Sequence, residues 1–221
     1  LLTPESIFED NHLLVVNKPV NIPVQSDESG DIDFQTILKN YIARKYQKPG
    51  NVFLGIVHRL DRPVGGVMVF ARTSKAASRL SEQIRNRTFD KTYLAVLHGA
   101  PASRGILKHW LLKDSKTNMV IAHQREVPGS KHAVLHYDRV GISGDLSLVK
   151  IKLETGRPHQ IRVQFSTIEC PIWGDQRYNK QAEIGQQIAL FASELSFSHP
   201  TSNEILNFAV HPTAKYPWNE F

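Results

Sequence analysis

Two apolar runs flank one charged stretch. Residues 52–57 and 67–71 hold almost no polar side chains, as buried strands do, and between them lies His58-Arg59-Leu60-Asp61-Arg62-Pro63-Val64-Gly65-Gly66. Pro63 removes a backbone donor and Gly65-Gly66 relax the φ/ψ limits, so the pattern predicts strand, tight turn and strand, with the bend at the glycines. Upstream, residues 7–10 and 12–17 predict two short strands around Asp10-Asn11, followed by an extended piece over 20–24. Phe34, Ile37, Leu38, Tyr41 and Ile42 recur at helical spacing and predict a helix over 33–46, capped by Asp31 or Asp33 and stopped by Lys48-Pro49-Gly50. Ala77, Leu80 and Ile84 predict a second helix, begun by Thr73 or Ser74 and ending near Arg85.

Further on, residues 89–97, 119–122, 133–140 and 146–153 read as strands, and 106–112 fits strand or helix. Residues 126–131 form a loop with Pro128-Gly129 at its tip, and the last two strands are joined across 141–145. Residues 159–167 predict a short helix with Ile161 and Phe165 on one face, 171–185 are irregular, and 188–192 and 205–210 are late strands. No repeat, low-complexity tract or linker interrupts the chain, so one domain over 1–221 is expected. Strands outnumber helices, which predicts an α+β fold: a mixed, largely antiparallel central sheet with flanking helices and loops.

Charge adds a partner class. Lys and Arg number 27 against 21 Asp and Glu, a net +6 over 221 residues, which suits a polyanion such as nucleic acid. One cysteine, Cys170, excludes an internal disulfide; with no leader pattern in the first residues, a reducing, cytoplasmic setting is expected. No run approaches the ~18 apolar residues of a membrane-spanning helix. There is no HExxH, phosphate-binding glycine loop or GxSxG elbow, so zinc-protease, P-loop and serine-hydrolase chemistries lack their signatures. No metal site is expected.

Four stretches place polar groups where a strand meets a turn or helix: 58–66, 91–99, 156–164 and 171–178. Asp61, beside Arg59 and Arg62, is either a turn-capping carboxylate or a reactive one held by a rigid scaffold. Arg157, His159, Gln160, Arg162 and Gln164 form the densest polar set; His159 and Arg162 lie three apart, and Arg162 is offered to a carboxylate elsewhere. Tyr93 reads as a core strand aromatic, and Lys18 as a solvated surface lysine.

Taken together the motifs resemble the RluA family of RNA pseudouridine synthases. The family's HRLDxxTSG stretch corresponds to residues 58–66, its K-x-Y-x-A-V-x-G-like strand to Lys91-Thr92-Tyr93-Leu94-Ala95-Val96-Leu97-His98-Gly99, and its GRxHQIRxQ stretch to Gly156-Arg157-Pro158-His159-Gln160-Ile161-Arg162-Val163-Gln164. Its P-I-x-G-D-x-x-Y stretch corresponds to Pro171-Ile172-Trp173-Gly174-Asp175-Gln176-Arg177-Tyr178, and its opening NKPxG to Asn17-Lys18-Pro19, with Asn21 where glycine is usual. The order holds from about residue 12 to 212. Val64-Gly65 stand where the family often carries Thr-Ser, which removes hydroxyls but leaves Arg59 and Asp61 in place.

The resemblance implies the pseudouridine synthase fold without the small S4 domain that often precedes it. It implies isomerisation of specific uridines in ribosomal or transfer RNA, with base flipping and no cofactor. Asp61 is then the essential catalytic carboxylate, with Tyr93 and Arg162 beside it in the reaction. His58, Arg59, Arg62, Lys91, Arg157, His159 and Gln160 become RNA-contact candidates, and Lys75, Arg79, Arg85 and Arg87 extend a basic track. No membrane and no obligatory protein partner is implied, and a monomer is expected. A non-catalytic RNA-binding protein on the same fold is the alternative.

Overall fold

The computed structural model describes residues 4–221. Leu1 to Thr3, which belong to the leader-free reading of the first residues, lie outside the described part. The chain divides into two compact units: residues 1–91 with 192–211, and residues 92–191 with 212–221.

In unit 1, β1 (Glu5–Glu9) and β2 (Leu13–Lys18) form the expected hairpin, closed by Asp10, whose carboxylate accepts from the His12 and Leu13 amides. Strand β4 (Gly65–Ala71) pairs antiparallel with β2, Leu13 opposite Ala71 and Lys18 opposite Gly66. Helix α1 (Phe34–Lys45) begins at Asp33, whose side chain accepts from the Thr36 amide at 2.9 Å, a cap worth about 1 kcal/mol. Helix α2 (Ser74–Arg85) is capped in the same way by Thr73. The apolar residues Leu13, Val15, Val67, Val69, Leu80, Phe89, Leu195 and Phe197 pack into one cluster, with Phe89 and Phe197 stacked at 5.1 Å.

Two local features differ from the expected pattern. The apolar run 52–57 is not a buried strand: only β3 (Gly55–Ile56) pairs, with the end of β4, and Phe53 is 51% exposed. The bend also falls earlier than the glycines. Residues 61–64 make the turn, closed by the Val64 amide on the Asp61 carbonyl at 2.9 Å, and Gly65-Gly66 already belong to β4. Gly66 is required for close approach: its φ is +122°, and a Cβ there would sit 2.2 Å from the Ala192 carbonyl oxygen. Gly66→Ala is therefore expected to cost more than about 2 kcal/mol, read as a shifted denaturant midpoint at unchanged slope.

Unit 2 is built on the strand order β5-β9-β8-β6-β7, in which each pair is antiparallel. The strands are β5 (Asp90–His98, which leaves unit 1 after Lys91), β6 (Arg104–Asp114), β7 (Met119–His123), β8 (Lys131–Ser143) and β9 (Leu146–Leu153). The ambiguous run 106–112 thus lies in a strand. Residues 141–143 continue β8 past an irregularity between Arg139 and Gly141 instead of forming a loop. Helix α3 (Gln160–Thr167) packs on the face that carries Leu111 and Ala133, through Val163. Strand β10 (Leu190–Ser198) returns to unit 1 at Ala192, runs on well past the expected end at 192 and pairs there with β11 (Ile205–Ala209). Three α-helices among the described residues, on largely antiparallel strands, are the expected α+β architecture. No helix among the described residues is long and apolar enough to cross a membrane.

Candidate active site

In unit 1 the geometry centres on Lys18. Its side chain is 1% exposed, contrary to the expected solvated lysine. The ammonium donates to the carbonyls of Pro19 at 3.0 Å, Arg62 at 3.2 Å and Val64 at 2.9 Å, so two of its three hydrogen bonds clamp the turn that starts at Asp61 and the third ties it to its own neighbour. Burial pushes Lys18 down to about 7, while the Asp61 carboxylate pulls it back up and Arg62 adds to the fall. Asp61 itself is half-buried. It therefore sits on a backbone fixed by proline, by a turn hydrogen bond and by a buried cation. A polar lysine at the end of an otherwise buried strand, followed by proline, was the signal for this role.

The two arginines of the turn are exposed and latched to the preceding loop. Arg59 Nη1 donates to Gln25 Oε1 at 3.2 Å, and Arg62 pairs with Asp31 and more distantly with Asp27 at 3.8 Å. His58 turns the other way. Its Nε2 accepts from the Val69 amide at 3.2 Å, its ring lies against Phe89, and its Nδ1 is buried with no hydrogen-bond partner among the described residues. These contacts give His58 a role in seating β4 rather than an RNA-facing one.

Burial drives the His58 imidazole down to about 3, and Lys91 adds to the push. Its folded-state value is thus below the unfolded ~6.5, so the unfolded chain binds the extra proton between the two values. The stability supplied by neutral His58 is present above about pH 6.5 and is lost as pH falls toward 3. Equilibrium unfolding across that window is expected to show a steeper acid-side loss in wild type than in His58→Gln, which can accept from Val69 but does not titrate. Lys91 is also pushed down by burial. Among the basic-track candidates, Arg79 is engaged with the Pro200 carbonyl.

In unit 2, Tyr93 lies on β5 opposite Ile151 and is buried. Arg162 is 5% exposed and forks onto Asp175, Nε to Oδ2 at 2.9 Å and Nη2 to Oδ1 at 2.7 Å. Its guanidinium also lies 5.3 Å from the Tyr178 ring centre. Tyr178 in turn binds His159 Nδ1 at 2.8 Å and accepts from the Val120 amide at 2.9 Å. Burial raises the Tyr178 hydroxyl above its ordinary value. Spacing alone does not single out Asp175 and Tyr178, although both lie in the 171–178 stretch.

The polar set around α3 is not an exposed patch: all residues from Gln160 to Phe165 are buried. His159 is not on the helix face but caps it in the left-handed region, at φ 51°. Gln160, 3% exposed, accepts from the Thr155 hydroxyl and the Arg157 amide and donates to the Val134 carbonyl. Its amide is used inside unit 2, which makes it a positioning residue in place of the expected RNA contact. Gln164 is held by the Leu107 carbonyl and His109. Arg157 remains half-buried, its Nε on the His132 carbonyl at 3.0 Å. No group of three or more His, Cys, Asp or Glu suited to a metal ion occurs among the described residues.

The sequence profile of the RNA pseudouridylate synthase family matches residues 12–167. The chain is 33% identical over 204 residues to the RNA pseudouridine synthase YhcT of Bacillus subtilis, covering 90% of this chain and 66% of that one. It is 34% identical over 216 residues to the ribosomal large subunit pseudouridine synthase D of Zymomonas mobilis, covering 92% and 68%. The human RNA pseudouridylate synthase domain containing 4 shares the fold at a TM-score of 0.80 and 23% identity, over 98% of this chain and 90% of that structure. The chain belongs to the RNA pseudouridylate synthase family, in its RluA branch. It spans about two thirds of the length of these curated relatives.

Proposed function

We propose that this chain converts specific uridines in RNA to pseudouridine and that Asp61 is the carboxylate the reaction depends on. Support comes from family membership together with the clamped turn: a carboxylate on a backbone tied at two carbonyls by one buried lysine is positioned before substrate arrives. The reaction breaks the N1–C1′ bond, turns the uracil and joins C5 to C1′; the C5 proton leaves and N1 gains one. Atoms and electrons balance within the substrate and water, so no oxidant or reductant is consumed.

Asp61 acts as a carboxylate toward C1′ or the base, on the turn that Lys18 clamps. Tyr93 presents a ring suited to stacking on uracil, and Arg162 supplies a fixed positive charge. A stacked uridine must first be turned out of the helix, at a cost of a few kcal/mol. Arg59, exposed two residues before Asp61, is the side chain we assign to the opened strand.

Ribosomal large-subunit RNA is the first substrate to test, since relatives carry that name, and transfer RNA is the second. Transcripts of both, incubated with the chain and mapped for pseudouridine, are expected to show modification at discrete positions. Tight RNA binding with no pseudouridine on either RNA would favour the non-catalytic reading.

A further inference from the structure

One cleft in unit 2 is left without a role by this account. It has a volume of about 160 Å³ and is lined by Leu111, Lys113, Val120, Lys131, Arg157 and Pro158, with Gly129 at its edge. The strand register explains its character. Leu111 and Lys113 alternate on the same face of β6; Leu111 lies opposite Lys131 of β8, and Lys113 lies opposite Val120 of β7. This is the face on which α3 packs. The floor is therefore apolar and the rim carries three cations and no carboxylate.

No ion pair to the rim is formed among the described residues. Lys113 and Lys131 are exposed and their ammonium groups have no hydrogen-bond or ion-pair partner among the described residues, and the Arg157 guanidinium spends only Nε, on the His132 carbonyl. The nearest carboxylate in sequence, Asp114, is taken by the Lys116 amide and the Thr117 hydroxyl. The surrounding segment 104–131 holds six cations (Arg104, Lys108, Lys113, Lys116, Arg125, Lys131) against two anions (Asp114, Glu126), a local +4 out of the chain's +6. Three like charges around one cleft repel each other unless an anion lies between them. The α3 N-terminus is not the source of the attraction, because Gln160 already satisfies the Arg157 amide there.

We propose that this cleft seats one phosphodiester of the substrate RNA. The phosphate lies among Lys113, Lys131 and Arg157, and the adjoining sugar or base edge rests on Leu111, Val120 and Pro158. The proposal rests on the RNA-modifying reading above and adds a contact made by residues other than those assigned to the chemistry. It also ties the contact to α3: the Val120 amide is bound by Tyr178, which lies under Arg162 and holds His159, so the wall of the cleft is braced by the same hydrogen-bonded group.

The test is RNA binding by the Lys113→Ala/Lys131→Ala double variant as a function of salt, beside a control of equal charge, Lys39→Ala/Lys48→Ala on and just beyond α1. The cleft variant is expected to bind a modified-site RNA roughly tenfold more weakly at 0.15 M salt. Its log K against log [salt] slope should be smaller in magnitude by about 0.7–0.9, the value of one phosphate contact. Its single-turnover rate at saturating RNA should stay within about twofold of wild type. Affinity and slope equal to wild type, or the same losses in the control, would overturn the proposal. So would saturable binding of uridine monophosphate in the cleft with RNA affinity unchanged in the variant, which would assign it to a free nucleotide. Failure of the catalytic reading looks different: wild type then binds RNA yet forms no pseudouridine, whatever the variant does.

Discussion

Asp61→Asn is expected to abolish pseudouridine formation while leaving the protein folded and bound to RNA. Asparagine matches aspartate in size and keeps the 61–64 turn, since the turn hydrogen bond uses the backbone carbonyl and Lys18 binds backbone carbonyls of Pro19, Arg62 and Val64. What is lost is the charge and the nucleophilic or ion-stabilising oxygen. A fall in single-turnover rate of at least about 10³-fold, roughly 4 kcal/mol of barrier, is expected. RNA affinity should stay within about threefold, because one carboxylate contributes nothing favourable toward a phosphate backbone. Melting is the control: an unfolded variant would lose binding as well as turnover.

The second large effect concerns the pair Arg162 and Asp175. Both groups are almost fully buried and joined by two parallel hydrogen bonds. Removing one partner strands the other charge in a low-dielectric setting, and such losses run to ~3–5 kcal/mol. Arg162→Met alone, or Asp175→Leu alone, is therefore expected to lower the melting temperature by roughly 6–20 °C for a chain of this size. The double variant Arg162→Met/Asp175→Leu should recover much of that loss, because two apolar groups can replace a buried ion pair at little net cost. Singles that each cost under about 1 kcal/mol, or a double variant that costs their sum, would contradict this. Pseudouridine formation should stay lost in the double variant even where stability returns, which separates the structural use of Arg162 from its proposed use in the reaction.

The elements with strong periodicity were legible. Both long helices begin at the expected residues because Asp33 and Thr73 are caps that tertiary contacts had no reason to override. Strand β9 matches its expected range, Leu146 to Leu153. The misreadings share a cause: hydrophobicity reports burial, not pairing. The run 52–57 is apolar yet mostly unpaired, and Phe53 is exposed. Gly65-Gly66 looked like a bend because glycine is permissive. In fact Gly66 is needed where β4 passes close to the Ala192 backbone, a partner 126 positions away that no local window contains.

The same limit applies to side-chain roles. The stretch around Asp61 stood out because charge between two apolar runs is unusual. That Lys18 is buried beneath it, and that Asp175 and Tyr178 bind Arg162 and His159, depends on contacts made across the chain. Spacing within α3 showed a dense polar set but not its direction; Gln160 and Gln164 face the sheet, where their buried amides donate to the Val134 and Leu107 carbonyls.

The central claim is that the chain exchanges the N1–C1′ bond of uridine for a C5–C1′ bond with Asp61 as the required carboxylate. Tritium release from RNA labelled at uridine C5 reads that exchange directly, because the C5 hydrogen leaves only when the new bond is made. With large-subunit ribosomal RNA or transfer RNA transcripts, wild type should release one tritium for each pseudouridine found, and Asp61→Asn should release none above background. No release by wild type from either RNA under conditions where both are bound, or release undiminished in Asp61→Asn, would contradict the account.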